Sequence, residues 1–455
     1  MERSIEADTV ILICESYTLE SRYLHNSLML AGYDVFTVIL EENDFLPKGV
    51  TSVYDLLSGN FKQDREKRET PKFFNEISVP DSWSISAGVD EPNGKITYQG
   101  EEKGRIYYTT PVKKYLVKEV DWLDRKGNVS FREHYNRYGD ICARTIYGID
   151  GRRFSKSWFS PDNREILVEN YVTGDFIFND GNRVKHFRSK TDLISYYFTR
   201  LGFGKRQVFF NSLSTPFFLS ERLPKEAKQD ILFWHEPIGE SIPGNMQLIL
   251  NGKSGRIDKI VVQKKKVYDK LLTLGTKPEM LYRLGFLYPF EKENSHKPEA
   301  LICTDSDRLE HCRELFEAFP GMKFHIVAIT VVSEKLKSLG DYENVSVYPA
   351  AKENLLEELF KKCDYYFDIN HYAEIITAVH RAFLNNHLIF AFQETVHNRD
   401  YVADEHIYPI LEFERLVSDV RAVMADEAIL EKYLEKQRAH ALSDTKEDYI
   451  RVVGK

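Results

Sequence analysis

The side chains best suited to chemistry follow two apolar runs. In WHEPIG (Trp234–Gly239), His235 and Glu236 come directly after DILFW. An imidazole beside a carboxylate can hold a hydroxyl group, and the carboxyl end of a strand is where α/β folds bind ligands. His235 serves equally as a capping or packing residue, so both roles stay open. In FFNSLSTP (Phe209–Pro216), Asn211, Ser212 and Ser214 end another apolar run and offer neutral hydrogen-bonding groups. Other chemistries lack their residues. The 13 histidines form no HExxH or comparable ligand pair, so no metal is expected. There is no GxSxG elbow, and no GxGxxG follows the first strand, so neither a nucleophilic triad nor a dinucleotide cofactor is expected. The five cysteines, Cys14, Cys142, Cys303, Cys312 and Cys363, form no CxxC pair. Each is expected as a small core residue in a reducing compartment.

The elements that must position these groups follow from the whole chain. At roughly 150 residues per domain, 455 residues predict two or three domains. The net charge of −8 gives no global basic field for nucleic acid. Asp8 and Glu15 flank the short run Val10–Cys14, so the N-terminus does not resemble a signal peptide. No window approaches the ~20 apolar residues of a membrane span. A cytoplasmic location is expected, with peripheral association at the inner face of the cell membrane left open.

Val10–Cys14, a helical pattern ending at Gly32 and Val35–Leu40 predict a β-α-β start. From about Lys72 to Lys190 turn signals recur between aromatic and β-branched runs, which predicts a β-meander. The α/β rhythm then resumes, passes a polar hinge at Tyr288–Ala300, and starts a second series. The expected domains are residues 1–70 with 190–290, an inserted meander at 71–189, a second α/β domain at 291–426, and a C-terminal helical segment at 427–455. The charge run Phe61–Lys72 and the cluster Lys264–Lys266 are expected to be solvated.

Four stretches make the pattern specific: LHNSLMLAGYDVFTVILEENDFLP (Leu24–Pro47), the meander segment Arg137–Asp180, VVQKKKVYDKLL with YRLGFLYP, and YYFDINHYAEIITAVHRAFLNNHLIFAFQETVHN (Tyr365–Asn398). Over essentially its whole length the chain resembles a GT-B glycosyltransferase of the family-4 type. That implies two Rossmann-like domains facing across a cleft, with the meander inserted in the first. More narrowly, it is similar to the paired subunits of the accessory-Sec O-linked N-acetylglucosaminyltransferase. In that family one subunit binds the nucleotide sugar and the other is a non-catalytic stabilising partner.

The resemblance also implies where a donor site would stand. A leaving diphosphate needs preorganised cations or helix N-termini. Family-4-type enzymes place an Arg and a Lys after the first strand of the second domain and a Glu-x7-Glu pair on a later helix. Aligned on EAF, those cations fall at Asp305 and Glu310, with Arg308 nearby. Aligned on RAF, the two carboxylates fall at Ala373 and Arg381, with Glu374 one place away on the same predicted helix. The family's tight turn falls at Asn386-His387-Leu388. The expectation is therefore a degenerate donor site, with no catalytic residue, no metal and no cofactor. The acceptor-cleft candidates are Asn211, His235, Glu236, Tyr372 and Glu374. The implied partners are a catalytic glycosyltransferase subunit in a hetero-oligomer, a heterotetramer included, a serine-rich-repeat adhesin polypeptide and accessory Sec export components. Nucleic acid is not among them. The meander's free edges, with aromatics such as Trp83, Tyr107 and Trp122, are an expected partner surface. Two readings compete: an active retaining glycosyltransferase with a shifted site built from Arg308, Glu374 and Arg381, and a GT-B-shaped epimerase.

Overall fold

The computed structural model describes residues 8–43, 45–61, 70–88, 92–110, 114–181, 183–224 and 230–454. Most of the charge run Phe61–Lys72, and Asn182 of the NDGN turn, lie outside them. The chain divides into two compact units, Met1–Arg283 and Leu284–Gly454.

In the first unit β1 (Val10–Cys14) and β2 (Val35–Ile39) are buried at every residue. Continuous apolar runs require this in a parallel sheet covered on both faces. The helix Leu19–Ala31 between them starts at Thr18, whose hydroxyl accepts the Ser21 amide, and stops at left-handed Gly32. β3 (Val50–Ser52) completes this wing. Ten strands intervene, from β4 (Ser84–Ser86) to β13 (Arg183–Phe187). The other wing is β14 (Val208–Phe210), β15 (Asp230–Trp234), β16 (Ile257–Val262) and β17 (Leu281–Arg283). The spatial order is β17-β16-β15-β14-β1-β2-β3, all parallel. Strand order reverses between β1 and β14, so the ligand-binding switch point of this sheet lies past Cys14 and Phe210.

The ten inserted strands pair strictly in sequence in one antiparallel sheet, which is a meander. It is fastened to the first sheet by β10 (Arg153–Phe159). There Trp158 stacks on Tyr54 at 4.6 Å and donates its indole N–H to Glu42 Oε1 at 3.0 Å. Lys156 pairs with the other oxygen of Glu42 at 2.5 Å. Of the meander aromatics, Tyr108, Tyr135, Tyr138 and Trp158 are buried, while Trp83, Tyr107 and Trp122 are half-buried.

Below the first sheet, Arg256 and Asp230 form a fully buried fork-to-fork pair. Arg256 Nε and Nη2 donate to the two Asp230 oxygens at 2.8 and 3.0 Å. The remaining guanidinium hydrogens reach the Gly204, Arg206 and Pro224 carbonyls. Asp230 also accepts Val208 N–H and the Ser220 hydroxyl. Four segments therefore meet on one ion pair.

The second unit holds β18 (Glu299–Cys303), β19 (Lys323–Val327), β20 (Val345–Tyr348), β21 (Tyr365–Asp368), β22 (Leu388–Phe392) and β23 (Ile407–Tyr408). They pair in parallel in the order β20-β19-β18-β21-β22-β23. The switch point lies between β18 and β21. The helices Phe413–Ala425 and Glu427–His440 lay Leu416, Val420, Leu430 and Leu434 on the core around Phe324, Phe367 and Phe390. The helix Lys446–Val453 returns to Gly285, whose carbonyl accepts the Tyr449 hydroxyl. A Cβ on Gly285 would stand 1.9 Å from the Leu442 carbonyl oxygen, so only glycine fits. Among the described residues no helix is long and apolar enough to cross a membrane.

Arg256→Met is expected to cost about 3–5 kcal/mol, because it leaves the Asp230 carboxylate buried and unpaired. Equilibrium urea unfolding of the two proteins measures it.

Candidate functional site

The first-unit switch point gathers neutral and acidic oxygen and nitrogen groups. Asn211 is buried just past β14, and its Nδ2 donates to Ser21 Oγ at 2.9 Å. Ser214 donates to Glu15 Oε2 at 2.6 Å and lies 2.9 Å from the Ser212 hydroxyl. His235 and Glu236 follow β15; His235 is half-buried, Glu236 exposed. Burial holds the imidazole below its usual pKa against the opposing pull of Glu20 and Glu236, so it is neutral at pH 7. Among the described residues His235 has no hydrogen-bond partner, and it remains available to a ligand hydroxyl. Asn211 is thus tied to the helix after β1, Ser214 to Glu15 in the loop between them, and His235 stands apart past the next strand.

The second-unit switch point is occupied by the chain itself. Asn370, two residues past β21 and 1% exposed, is the centre. Its Nδ2 donates to Asp305 Oδ1 at 3.0 Å and to the Ala373 carbonyl at 3.1 Å. Its Oδ1 accepts the Ser306 hydroxyl at 3.0 Å. The Thr304 hydroxyl lies 3.0 Å from the same oxygen and divides its proton with the Ser306 carbonyl at 2.7 Å. The backbone closes beside it. Leu309 and Asn370 form an antiparallel bridge, Glu310 N–H donates to the Ile369 carbonyl, and His371 N–H to the Arg308 carbonyl. The His371 imidazole then meets Glu310 Oε2 at 2.6 Å. These bonds join the loops after β18 and β21, and a crevice lined by Arg308, Glu310, Arg313 and His371 lies beside them.

Each residue singled out from the family pattern has an intramolecular task here. Asp305 is exposed and accepts from Asn370; Glu310 pairs with His371. Arg381 pairs with Glu353 at 2.9 Å and lies over the Phe360 ring at 4.6 Å. Arg308 is exposed and lies over exposed Tyr372 at 5.9 Å.

One expectation is corrected. Ala373 and Glu374 are not on a helix, because the helix spans only Ala378–Leu384. Before it Ile376 and Thr377 both take left-handed φ, 52° and 51°. That is an unusual conformation for β-branched residues and breaks the helix before it can reach back. Glu374 instead folds over the helix start, its Oε1 accepting Val379 N–H at 2.9 Å. At the other end Asn386, with φ 53°, supplies the left-handed turn itself. His387 beside it is fully buried, and burial pushes its pKa down to about 3.

The sequence pattern did not single out Asn370, His371, Asp368 or His397. His397 Nδ1 meets the buried Asp368 at 2.6 Å, and its Nε2 meets the Tyr372 carbonyl at 2.6 Å. Burial pushes this imidazole down, but the hydrogen bond and charge of Asp368, with the Tyr372 carbonyl, outweigh it and raise its pKa to about 9. It is a cation at neutral pH and pins the Tyr372 loop. The sequence signal was weak: Asn370 and His371 are polar residues just past an apolar run.

Two outcomes are expected. Asn370→Asp sets two carboxylates at hydrogen-bond distance and removes two donors, a loss of about 2–4 kcal/mol. Adding Asp305→Asn restores a donor between the pair and recovers much of it, as a double-mutant cycle in urea will show. The raised His397 pKa stabilises the fold below about pH 6.5, and this contribution disappears as pH rises through about 9. The difference in urea midpoint between wild type and His397→Gln should be largest at pH 6 and vanish by pH 10.

Four family models match consecutive parts of the chain: GtfB N-terminal domain at 11–56, GtfB middle domain at 83–188, GtfB third domain at 190–274, and GftB/GlyA-F C-terminal domain at 300–437. The chain is 37% identical to the UDP-N-acetylglucosamine–peptide N-acetylglucosaminyltransferase stabilizing protein GtfB of Streptococcus gordonii, over 95% of both chains. It is 35% identical to the protein of the same name from Streptococcus agalactiae, over 98% of this chain and 99% of that one. It also superposes on a chain of the crystal structure of a GtfA/B complex bound to UDP and GlcNAc, with a TM-score of 0.83 and 36% identity over 97% of this chain and 98% of that one. The fold is accordingly GT-B-like, with an antiparallel meander inserted in the first α/β unit, and the chain belongs to the GtfB family of stabilizing proteins.

Proposed function

We propose that this chain is the stabilising and acceptor-binding subunit of a protein O-GlcNAc transferase complex, with no transferase activity of its own. It acts on serine-rich-repeat adhesins before accessory-Sec export, and a catalytic partner in the hetero-oligomer supplies UDP-N-acetylglucosamine and the transfer step. The observation that carries the reading is the Asn370 clasp. A diphosphate at the second switch point would have to displace it and face Asp305 and Glu310 in place of cations.

In this reading residues 1–70 and 190–290 receive the acceptor, with Asn211, His235 and Glu236 past the strand ends. A serine- and threonine-rich polypeptide is polar and extended, and neutral amide, imidazole and hydroxyl groups suit its backbone and side chains. The meander at 71–189 carries the partner contact, 291–426 keeps the frame of a donor domain without its charges, and 427–455 closes that frame. The complex works in the cytoplasm at the inner face of the cell membrane.

Isothermal titration of the isolated chain with UDP and UDP-N-acetylglucosamine tests the closed donor site. No binding tighter than ~100 μM, about 5.5 kcal/mol, is expected. Co-expression of an acceptor with this chain, with a catalytic subunit and with both tests the role. Full glycosylation and solubility should need both, and glycosylation by this chain alone would overturn the proposal.

A further inference from the structure

A second cluster of chemistry-bearing side chains lies away from the switch point. Glu299 opens β18, His325 is in β19, and Cys363 follows the helix Glu353–Lys362. One ligand atom of each, a carboxylate oxygen, an imidazole nitrogen and a thiol sulfur, lie within 4.8 Å of one another. His325 and Cys363 are fully buried, while the Glu299 side chain is 23% exposed and leaves a way in. We propose that Glu299, His325 and Cys363 form a site for a borderline-soft divalent cation of the Zn2+ type.

Four features support it. The donor set is one nitrogen, one sulfur and one oxygen, which favours zinc over calcium or magnesium. Ligand atoms around tetrahedral zinc stand about 3–4 Å apart, so the present spacing needs only a small contraction. His325 is already oriented from behind: its Nδ1 lies 3.1 Å from the Tyr348 hydroxyl, which leaves Nε2 facing Glu299 at 2.9 Å. Finally, the site already holds a cation. Lys362 Nζ sits 2.7 Å from Glu299 Oε2 and 3.5 Å from His325 Nε2, on a side chain 39% exposed that can swing to solvent. The ammonium balances the half-buried carboxylate until a metal replaces it.

Binding is an exchange without redox change. The Cys363 S–H bond breaks, the S–metal bond forms, and the proton leaves to solvent. Burial pushes this thiol's pKa up to about 12, so the metal must displace the proton. Lys362 gives up Glu299, and water completes the coordination. The site would join β18, β19 and the helix end directly before Asp364.

Cadmium reports the site, because a thiolate bound to Cd2+ absorbs in the ultraviolet. The full chain, stripped with chelator, is titrated with CdCl2 and then with ZnCl2. One Cd2+ per chain, release of one proton, and loss of the band on zinc addition are expected. Cys363→Ser should abolish the band. Tyr348→Phe, which removes the group orienting His325, should weaken binding about 10–100-fold. Lys362→Met removes the competing ammonium and should tighten binding at least tenfold. The lysine variant changes a partly exposed side chain, so it keeps the test open if Cys363→Ser does not fold. Absence of the band in the wild type, a band that survives in a folded Cys363→Ser, or a Lys362→Met protein that binds no tighter would each overturn the proposal.

Discussion

A single side-chain amide decides what the second sheet can do. Asn370 is buried at the point where strand order reverses, and both amide atoms are spent on the chain, against Asp305, Ser306 and Ala373. A buried amide that loses such partners forfeits the full desolvation cost of each unmet group. Parting the loops after β18 and β21 would therefore cost the bonds that this amide makes. Around it the anionic residues are engaged as partners, Asp305 for an amide and Glu310 for an imidazole. Charges that would repel a phosphate become the fastening that holds two loops together.

The two sheets share a second device at their opposite edge. In the first unit Asp230 opens β15 and receives Arg256; in the second Asp364 precedes β21 and receives Lys292, with Ser295 and Lys297 N–H around it. Each aspartate gathers segments distant in sequence at the amino ends of the strands. The carboxyl ends differ: Asn211 and His235 follow strands in the first sheet, and in the second the loops after β18 and β21 are bonded through Asn370.

Much of the frame was legible because burial on two faces writes itself as unbroken apolar runs: Val10–Cys14 and Leu388–Phe392 each became strands. The meander was legible from its turn residues. The helix before β22 was drawn too long, since Ile376 and Thr377 carry no sequence mark of left-handed backbone; glycine would have announced it. Asn370 and His397 escaped for another reason. Their partners lie 65 and 29 residues away, and spacing rules see only neighbours. The Glu299–His325–Cys363 cluster is the extreme case, with three ligands from three separate elements.

The insertion also imposes an order in time. β1 pairs on one side with β2, but its other neighbour is β14, through Ile11↔Val208 to Ile13↔Phe210. About 200 residues of meander and helix must leave the ribosome between them, roughly 10–40 s at typical rates of synthesis. Throughout that interval a fully apolar central strand has one edge unpaired, the kind of edge that recruits other chains. The nascent protein thus spends its most aggregation-prone moments waiting for its own second half, and a fast-closing meander or an early-arriving companion shortens its exposure.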